Sequence, residues 1–119
     1  MPKNIKVIGK NAFQNCSALK TVTIGSSVTT IGDSAFQGCS KLTKVTIPAK
    51  VTKIGKNAFY NCKKLKSVIV KTSSLKTVGK SAFKNIAKNA TIKVPKKKLT
   101  AYKKLLKKSG IGSKVKVTK

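Results

Sequence analysis

The sequence contains no histidine, no arginine and no tryptophan, and its only acidic residue is Asp33. A catalytic triad or a pair of catalytic carboxylates needs residue types that this chain lacks, so we expect no enzyme. No apolar run approaches the roughly 18 residues of a membrane span. The first residues also lack the apolar stretch and cleavage site of a signal peptide. We therefore expect no transmembrane segment and no cofactor.

Negative charge is almost absent, whereas all 28 basic residues are lysine and the formal net charge is +27. Such a surface attracts polyanions over long distances. The missing arginine argues against direct base reading, and only Tyr60 and Tyr102 are candidate stacking platforms for single strands. Any binding of nucleic acid should therefore be phosphate-driven and independent of sequence. Glycosaminoglycans, cell-wall polymers and anionic lipid headgroups fit the charge equally well.

A repeat of 23 residues organises the chain up to residue 95. Gly9, Gly32 and Gly55 are spaced by 23 residues, and Gly79 follows after 24. The same register aligns the apolar positions, which are Phe13, Phe36, Phe59 and Phe83, then Cys16, Cys39, Cys62 and Ile86, then Leu19, Leu42 and Leu65, then Val22, Val45, Val68 and Ile92.

Each unit contains two alternating segments typical of short strands, such as "LTKVTI" and "KVTKIG". Between them lie "NAFQNC", "SAFQGC", "NAFYNC" and "SAFKNI". These begin with good helix N-cap residues, namely Asn11, Ser34, Asn57 and Ser81. Four positions later come residues that tolerate the left-handed conformation, namely Asn15, Gly38, Asn61 and Asn85. We predict a short 3₁₀ turn that directs the phenylalanine inward.

A 23-residue unit cannot bury its own apolar edge, but stacked copies can, so we predict a solenoid of about four coils over residues 1–95. Residues 96–119 break the period. Leu99, Tyr102, Leu105 and Leu106 share one helical face, and "SKVKVTK" alternates like an edge strand. This lysine-rich segment is expected to cap the solenoid. No comparable cap precedes Ile5, so further repeats are expected upstream.

The pattern I-G-x-x-A-F-x-x-C-x-x-L-x-x-V-x-I-P over residues 7–95 resembles the BspA-like, Treponema-type class of leucine-rich repeats. The resemblance implies an α/β repeat solenoid that is right-handed and curved, with parallel strands on one face. It also implies a bacterial surface or secreted protein whose repeats bind host or matrix proteins. Ile86, Asn89 and Gly25 depart locally from the pattern.

Two features of the repeat can be interpreted either as functional sites or as purely structural residues. The thiols of Cys16, Cys39 and Cys62 could bind a soft metal or form disulfides, but Ile86 in the fourth copy favours core packing. Asp33 could be a functional acid, but its equivalents are lysines, which favours a solvent-exposed residue at the start of the turn.

The repeat also stacks lysines. Coils about 4.8 Å apart lie within the screening length of roughly 8 Å, so lysine ladders repel themselves unless an anionic partner is present. The candidate polyanion contacts are Lys41, Lys64 and Lys88 in one ladder, Lys10, Lys56 and Lys80 in another, and Lys97, Lys103, Lys104 and Lys107 in the cap.

Three functions stay open. The first is an adhesive module that binds proteins through the exposed side of the main strands, at Thr21, Thr23, Lys44, Thr46, Ser67, Ile69, Thr91 and Lys93. The second is a general polyanion binder. The third is a subunit that associates end to end through the uncapped first coil, whose strand edge is open.

Overall fold

The computed structural model describes residues 4–119, so the first three residues of the predicted solenoid lie outside it. The chain winds through short strands, and each coil contributes one strand to each of two sheets. The strands are β1 Val7–Ile8, β2 Thr21–Thr23, β3 Thr30–Ile31, β4 Lys44–Ile47, β5 Lys53–Ile54, β6 Ser67–Val70, β7 Thr77–Val78, β8 Thr91–Lys93 and β9 Lys116–Thr118. A 3₁₀ helix at Lys96–Lys98 leads into helix α1 at Leu99–Lys107.

Both sheets are parallel and follow the order of the coils. The minor sheet is β1-β3-β5-β7, and the major sheet is β2-β4-β6-β8-β9. The register repeats the sequence alignment, since Val22 pairs with Val45, Val45 with Val68, and Val68 with Ile92. The structure therefore confirms a repeat solenoid of parallel strands.

The core consists of ladders of identical side chains. The rings of Phe13, Phe36, Phe59 and Phe83 stack with centroids 5.2 Å apart and planes within 7°. Phe36, Phe59 and Phe83 are fully buried, whereas Phe13 in the first coil is only partly buried. Full burial of such a ring stabilises the fold by roughly 1.5–3 kcal/mol, so the ladder is a main source of stability.

The segment that carries each phenylalanine is not the predicted 3₁₀ turn. It does contain i to i+3 hydrogen bonds, as from Ala12 N to Gly9 O and from Gln14 N to Asn11 O, both at 3.2 Å. However, Asn11 and its equivalents have φ near +60°, which no N-cap or 3₁₀ residue adopts. The segment is therefore a series of β-turns, and the N-cap prediction for Asn11, Ser34, Asn57 and Ser81 is wrong.

Stacking explains this conformation. Phe13 N donates to Ala35 O at 2.7 Å, and Asn15 N donates to Gln37 O at 2.7 Å, both in the next coil. A helical turn directs its amides along its own axis, whereas these alternate amides must point toward the neighbouring coil. In each coil, two residues four positions apart have positive φ, as Asn11 and Asn15 do in the first. These residues turn the backbone so that local and inter-coil hydrogen bonds alternate.

The second half of that prediction is confirmed, because Asn15, Gly38, Asn61 and Asn85 all have positive φ. In the last two coils the side chains also stack, and Asn85 Nδ2 donates to Asn61 Oδ1 at 3.0 Å. Glycine stands at position 38 where a Cβ atom would collide with the amide oxygen of Asn15.

The recurring glycine after each minor strand has a separate cause, which is close approach of two coils. A Cβ atom on Gly32 would lie 2.7 Å from Ile8 O and 2.8 Å from Lys10 N in the preceding coil. Backbone atoms cannot move away as a flexible side chain can. The spacing of the glycines is thus a steric requirement of stacking at this corner.

The C-terminal segment continues the pattern of the coils with different elements. Phe83 N donates to Ser109 O at 3.2 Å, so a residue just beyond the end of α1 supplies the acceptor that a fifth coil would supply. Strand β9 pairs in parallel with β8, and Ile92 lies opposite Val117. Helix α1 buries Tyr102 and Leu106 against the last coil. The division of the chain at residue 95 into solenoid and cap remains a proposal.

Tyr102 fixes the loop that holds the extra residue of the third repeat. Its hydroxyl donates to Thr72 O at 2.9 Å and accepts from Leu75 N at 3.0 Å, and the residue is 2 % exposed. Thr72 is itself buried, and its Oγ1 donates to Val51 O at 2.7 Å. Tyr102 is therefore a structural residue and not the stacking platform that the sequence allowed, whereas Tyr60 is partly exposed.

We expect Phe59→Ala to lower the free energy of unfolding by about 3–5 kcal/mol, because the buried ring contacts a ring on each side. Phe13→Ala is the matched control, since it removes the same ring from the partly buried end of the ladder. The decrease in the free energy of unfolding should be clearly smaller for Phe13→Ala than for Phe59→Ala. Urea unfolding followed by circular dichroism measures both, and equal losses would contradict the stacked ladder.

We expect Tyr102→Phe to lower the free energy of unfolding by about 1–3 kcal/mol, because Thr72 O and Leu75 N would lose their buried partner. Tyr60→Phe removes a hydroxyl from a partly exposed ring and should change stability little. The same urea titration compares the two. A Tyr102→Phe protein as stable as the parent would show that the loop does not depend on this hydroxyl.

Candidate functional site

The three cysteines lie in the interior ladder, as core packing predicts. Cys39 Sγ donates to Phe13 O at 3.2 Å and Cys62 Sγ donates to Phe36 O at 3.0 Å, in each case to the preceding coil. Burial raises the pKa of the Cys39 thiol, and burial raises the pKa of Cys62 to about 12. All three are free thiols. Residues 4–119 contain no group of three or more residues suited to hold a metal ion.

Asp33 has a structural partner in the neighbouring coil. Its Oδ1 accepts a hydrogen bond from Lys56 N at 2.9 Å. The side chain is exposed, as predicted, but it is not merely solvated. It supplies an acceptor for a backbone amide at the corner where the coils approach most closely.

The outer face of the major sheet is the most regular exposed surface. Its side chains form two ladders in strand register. One ladder is Thr21, Lys44, Ser67, Thr91 and Lys116, and the other is Thr23, Thr46, Ile69, Lys93 and Thr118. All eight predicted strand-face contacts thus lie on one surface, which we call the sheet face. Each is exposed or partly exposed.

The sheet face is longer than the sequence indicated. Lys116 and Thr118 belong to β9 and extend the two ladders by one step beyond Thr91 and Lys93. The alternation in "SKVKVTK" pointed to a strand, but not to its parallel pairing with β8 in this register. That pairing depends on the path of α1 across the end of the last coil.

The predicted polyanion contacts are all exposed, but the structure does not bring them into one site. Lys56 and Lys80 lie in adjacent coils, since Ser34 N and Asn57 N donate to their carbonyl oxygens. Asp33 occupies the position between Lys10 and Lys56, so one carboxylate interrupts this ladder. Lys41, Lys64 and Lys88 lie in the turns that precede the major strands, on a different side of the coil.

The cap lysines form a third group on the end of the solenoid. Lys97 lies in the 3₁₀ helix, and Lys103, Lys104 and Lys107 lie on the exposed side of α1. Two of them, Lys103 and Lys107, border a groove of about 500 Å³ between α1 and β9. Its other lining residues are Ile111, Gly112, Ser113, Val115, Lys116, Val117 and Thr118. We call it the cap groove.

The opposite end of the solenoid has a different chemistry. A cavity of about 520 Å³ is lined there by the first coil, with Ile5, Val7, Ile8, Phe13 and Val22 among its residues. Among residues 4–119, no lysine lines it, and Val7 is 57 % exposed. This apolar end is the surface that end-to-end association would use.

A family model described as "BspA type Leucine rich repeat region (6 copies)" matches residues 1–111. Among curated proteins and solved structures, none matches the chain. Within residues 4–119, no helix has the length and apolar character to cross a membrane.

We expect iodoacetamide to modify Cys16 well before Cys39 and Cys62 in the folded protein. Cys16 is partly exposed, whereas the other two are buried, and burial raises their pKa values and so lowers their thiolate fractions. Peptide mapping by mass spectrometry after timed quenching measures each rate, and denaturing urea should equalise them. Rates for Cys39 and Cys62 equal to that of Cys16 without urea would contradict the buried ladder.

Proposed function

The chain belongs to the BspA-type leucine-rich repeat family, and from this premise we propose that it is an adhesive binding module of a bacterial surface or secreted protein. The family is generally non-enzymatic, and its members are typically surface or secreted proteins. Protein binding through the repeats is the role that the family suggests. We propose, in addition, that the chain mediates adhesion and that a particular surface of the repeats does so.

The sheet face is the observation that supports this function best. Five parallel strands present their outer residues in two uninterrupted ladders. Threonine and serine offer hydroxyl groups that donate and accept, and Lys44, Lys93 and Lys116 add positive charge. The core beneath the strands holds them in place, so this surface loses little conformational entropy when a partner binds.

Polyanion binding is the second candidate, and the net charge of +27 supports it. Lysine is a compact, strongly hydrated charge that attracts phosphate or sulfate without fixing its orientation. The candidate lysines are spread over the turns and the cap. We therefore propose that such binding, where it occurs, is charge-driven and has no single site.

End-to-end self-association is the third candidate, supported by the apolar cavity of the first coil. We rank it behind the other two. A second copy brings another +27 of charge, and one carboxylate in each copy offsets very little of the repulsion.

Two pairs of substitutions with equal loss of charge separate the first two candidates. Lys44→Ala with Lys93→Ala alters the sheet face, whereas Lys64→Ala with Lys80→Ala alters exposed turn lysines outside it. We expect binding to immobilised extracellular matrix proteins to weaken about tenfold or more for the sheet-face pair and to change little for the turn pair. Surface plasmon resonance measures both variants against the parent protein.

The same variants are then titrated with heparin and with duplex DNA at several salt concentrations. Charge-driven binding should weaken similarly for both pairs and should fall linearly on a plot of log affinity against log salt. Equal losses on the matrix proteins would contradict a role for the sheet face. Tight heparin binding without any matrix-protein binding would favour the second candidate.

A further inference from the structure

Strand β9 ends the major sheet, and one edge of its backbone has no strand beside it among residues 4–119. Lys116 N donates to Ala90 O at 2.9 Å, and Thr118 O accepts from Val94 N at 2.7 Å, so these two residues face β8. Backbone groups of alternate residues point to opposite edges of a strand. The N–H and C=O of Val117 therefore point to the open edge, where a further strand can pair with them.

The cap groove lies directly beside this edge and has an apolar floor. Ile111, Val115 and Val117 line it and are each partly exposed. Its volume of about 500 Å³ lies within the range typical of ligand pockets, about 300–1,000 Å³. A strand added beside β9 places every second side chain on the same side of the sheet as Val117, which is the side of this floor.

Lysine surrounds the groove without any acid to balance it. Lys103 and Lys107 border it from α1, and Lys116 borders it from β9. All three are exposed, and Asp33, the only acidic residue, lies in the second coil. Charge on an edge strand discourages pairing with another copy of the same chain. The same charge attracts a strand of opposite sign, because complementary charges steer association and fix register.

We propose that the cap groove and β9 bind an extended acidic peptide segment of a partner protein, which adds to the major sheet as a sixth strand. Its backbone pairs with Val117, and its apolar side chains pack on Ile111 and Val115. Its acidic side chains lie beside Lys116 on the outer face of the sheet. Such strand addition derives affinity from main-chain hydrogen bonds and specificity from alternate side chains.

This chemistry favours a peptide over other polyanions. Nucleic acids and glycosaminoglycans carry the charge but have no backbone amide ladder to continue a sheet, and no apolar side chains at a spacing of two. A second copy has the backbone but not the charge, since its own edge carries lysine. The inference does not depend on adhesion through the sheet face. The two surfaces share only Lys116 and Thr118 of β9, and the remaining groove residues lie outside the sheet face.

The test uses the full chain and a fluorescein-labelled synthetic peptide of alternating glutamate and valine. The control is the same peptide with N-methyl groups on alternate backbone nitrogens, which keeps its charge but blocks pairing along one edge. We expect the N-methylated peptide to bind about tenfold or more weakly in fluorescence anisotropy. Equal affinity of the two peptides would overturn the proposal and assign the binding to charge alone.

Protein variants locate the site. Lys103→Ala with Lys107→Ala should weaken binding of the glutamate–valine peptide several-fold more than Lys41→Ala with Lys64→Ala, which removes the same charge at residues that do not line the groove. Val117→Pro removes the amide on the open edge and leaves the bonds to β8, so it should weaken the unmodified peptide without affecting the N-methylated one. Equal losses from the two lysine pairs would contradict the assignment to the cap groove. These outcomes are independent of matrix-protein binding by the sheet face.

Discussion

Stacking of equivalent residues at the 23-residue period is the constraint on which the rest of this structure depends. One coil has too little interior to bury its apolar edge, and its alternate amides need acceptors in the next coil. The phenylalanine ladder and the backbone bonds between coils solve both problems at once. Each inward position is therefore restricted by the coils on both sides, while each outward position is restricted only by solvent and by neighbouring charge.

This division explains how a chain with a net charge of +27 can fold. Among residues 4–119, Asp33 and every lysine except the partly exposed Lys98 are exposed. The ladders of phenylalanine, leucine and valine are buried from the second coil onward. Repulsion between lysines in adjacent coils opposes stacking, and ion pairs cannot relieve it with one carboxylate in the chain. Burial of apolar surface must exceed this repulsion. Where cysteine gives way to Ile86, the replacement is again apolar.

The sequence was sufficient to predict the parts of the fold that repeat. Four occurrences of one pattern fixed the strand register, the inward phenylalanines and the left-handed residues such as Asn61. The local conformation of Asn11 and Ser34 was wrongly predicted, because N-cap preference describes an isolated helix. Here the amides must reach a neighbouring coil, and that tertiary requirement overrides the local preference.

The features that occur once were the hardest to predict. The sequence predicts Tyr102 only as a residue on the apolar face of a helix. Its hydroxyl forms hydrogen bonds with a loop that exists only because the third repeat has one extra residue. Lys116 and Thr118 join the sheet face only because α1 carries the chain back to the edge of β8. Such contacts join segments about 30 residues apart without a periodic signal.

The two ends of the solenoid, within residues 4–119, differ in the kind of contact that they offer to a partner. Among residues 4–119, inward residues of the first coil such as Phe13 and Val22 are only partly buried, whereas their equivalents in the following coils are buried. At the last coil, Ser109 O accepts a hydrogen bond from Phe83 N, and β9 pairs with β8. Within residues 4–119, the outer edge of β9 has no strand beside it and is bordered by lysine. An uncovered core favours any apolar contact, whereas a charged strand edge discriminates between partners by sign and by backbone. This difference is the physical reason why we propose recognition at the C-terminal end of the solenoid.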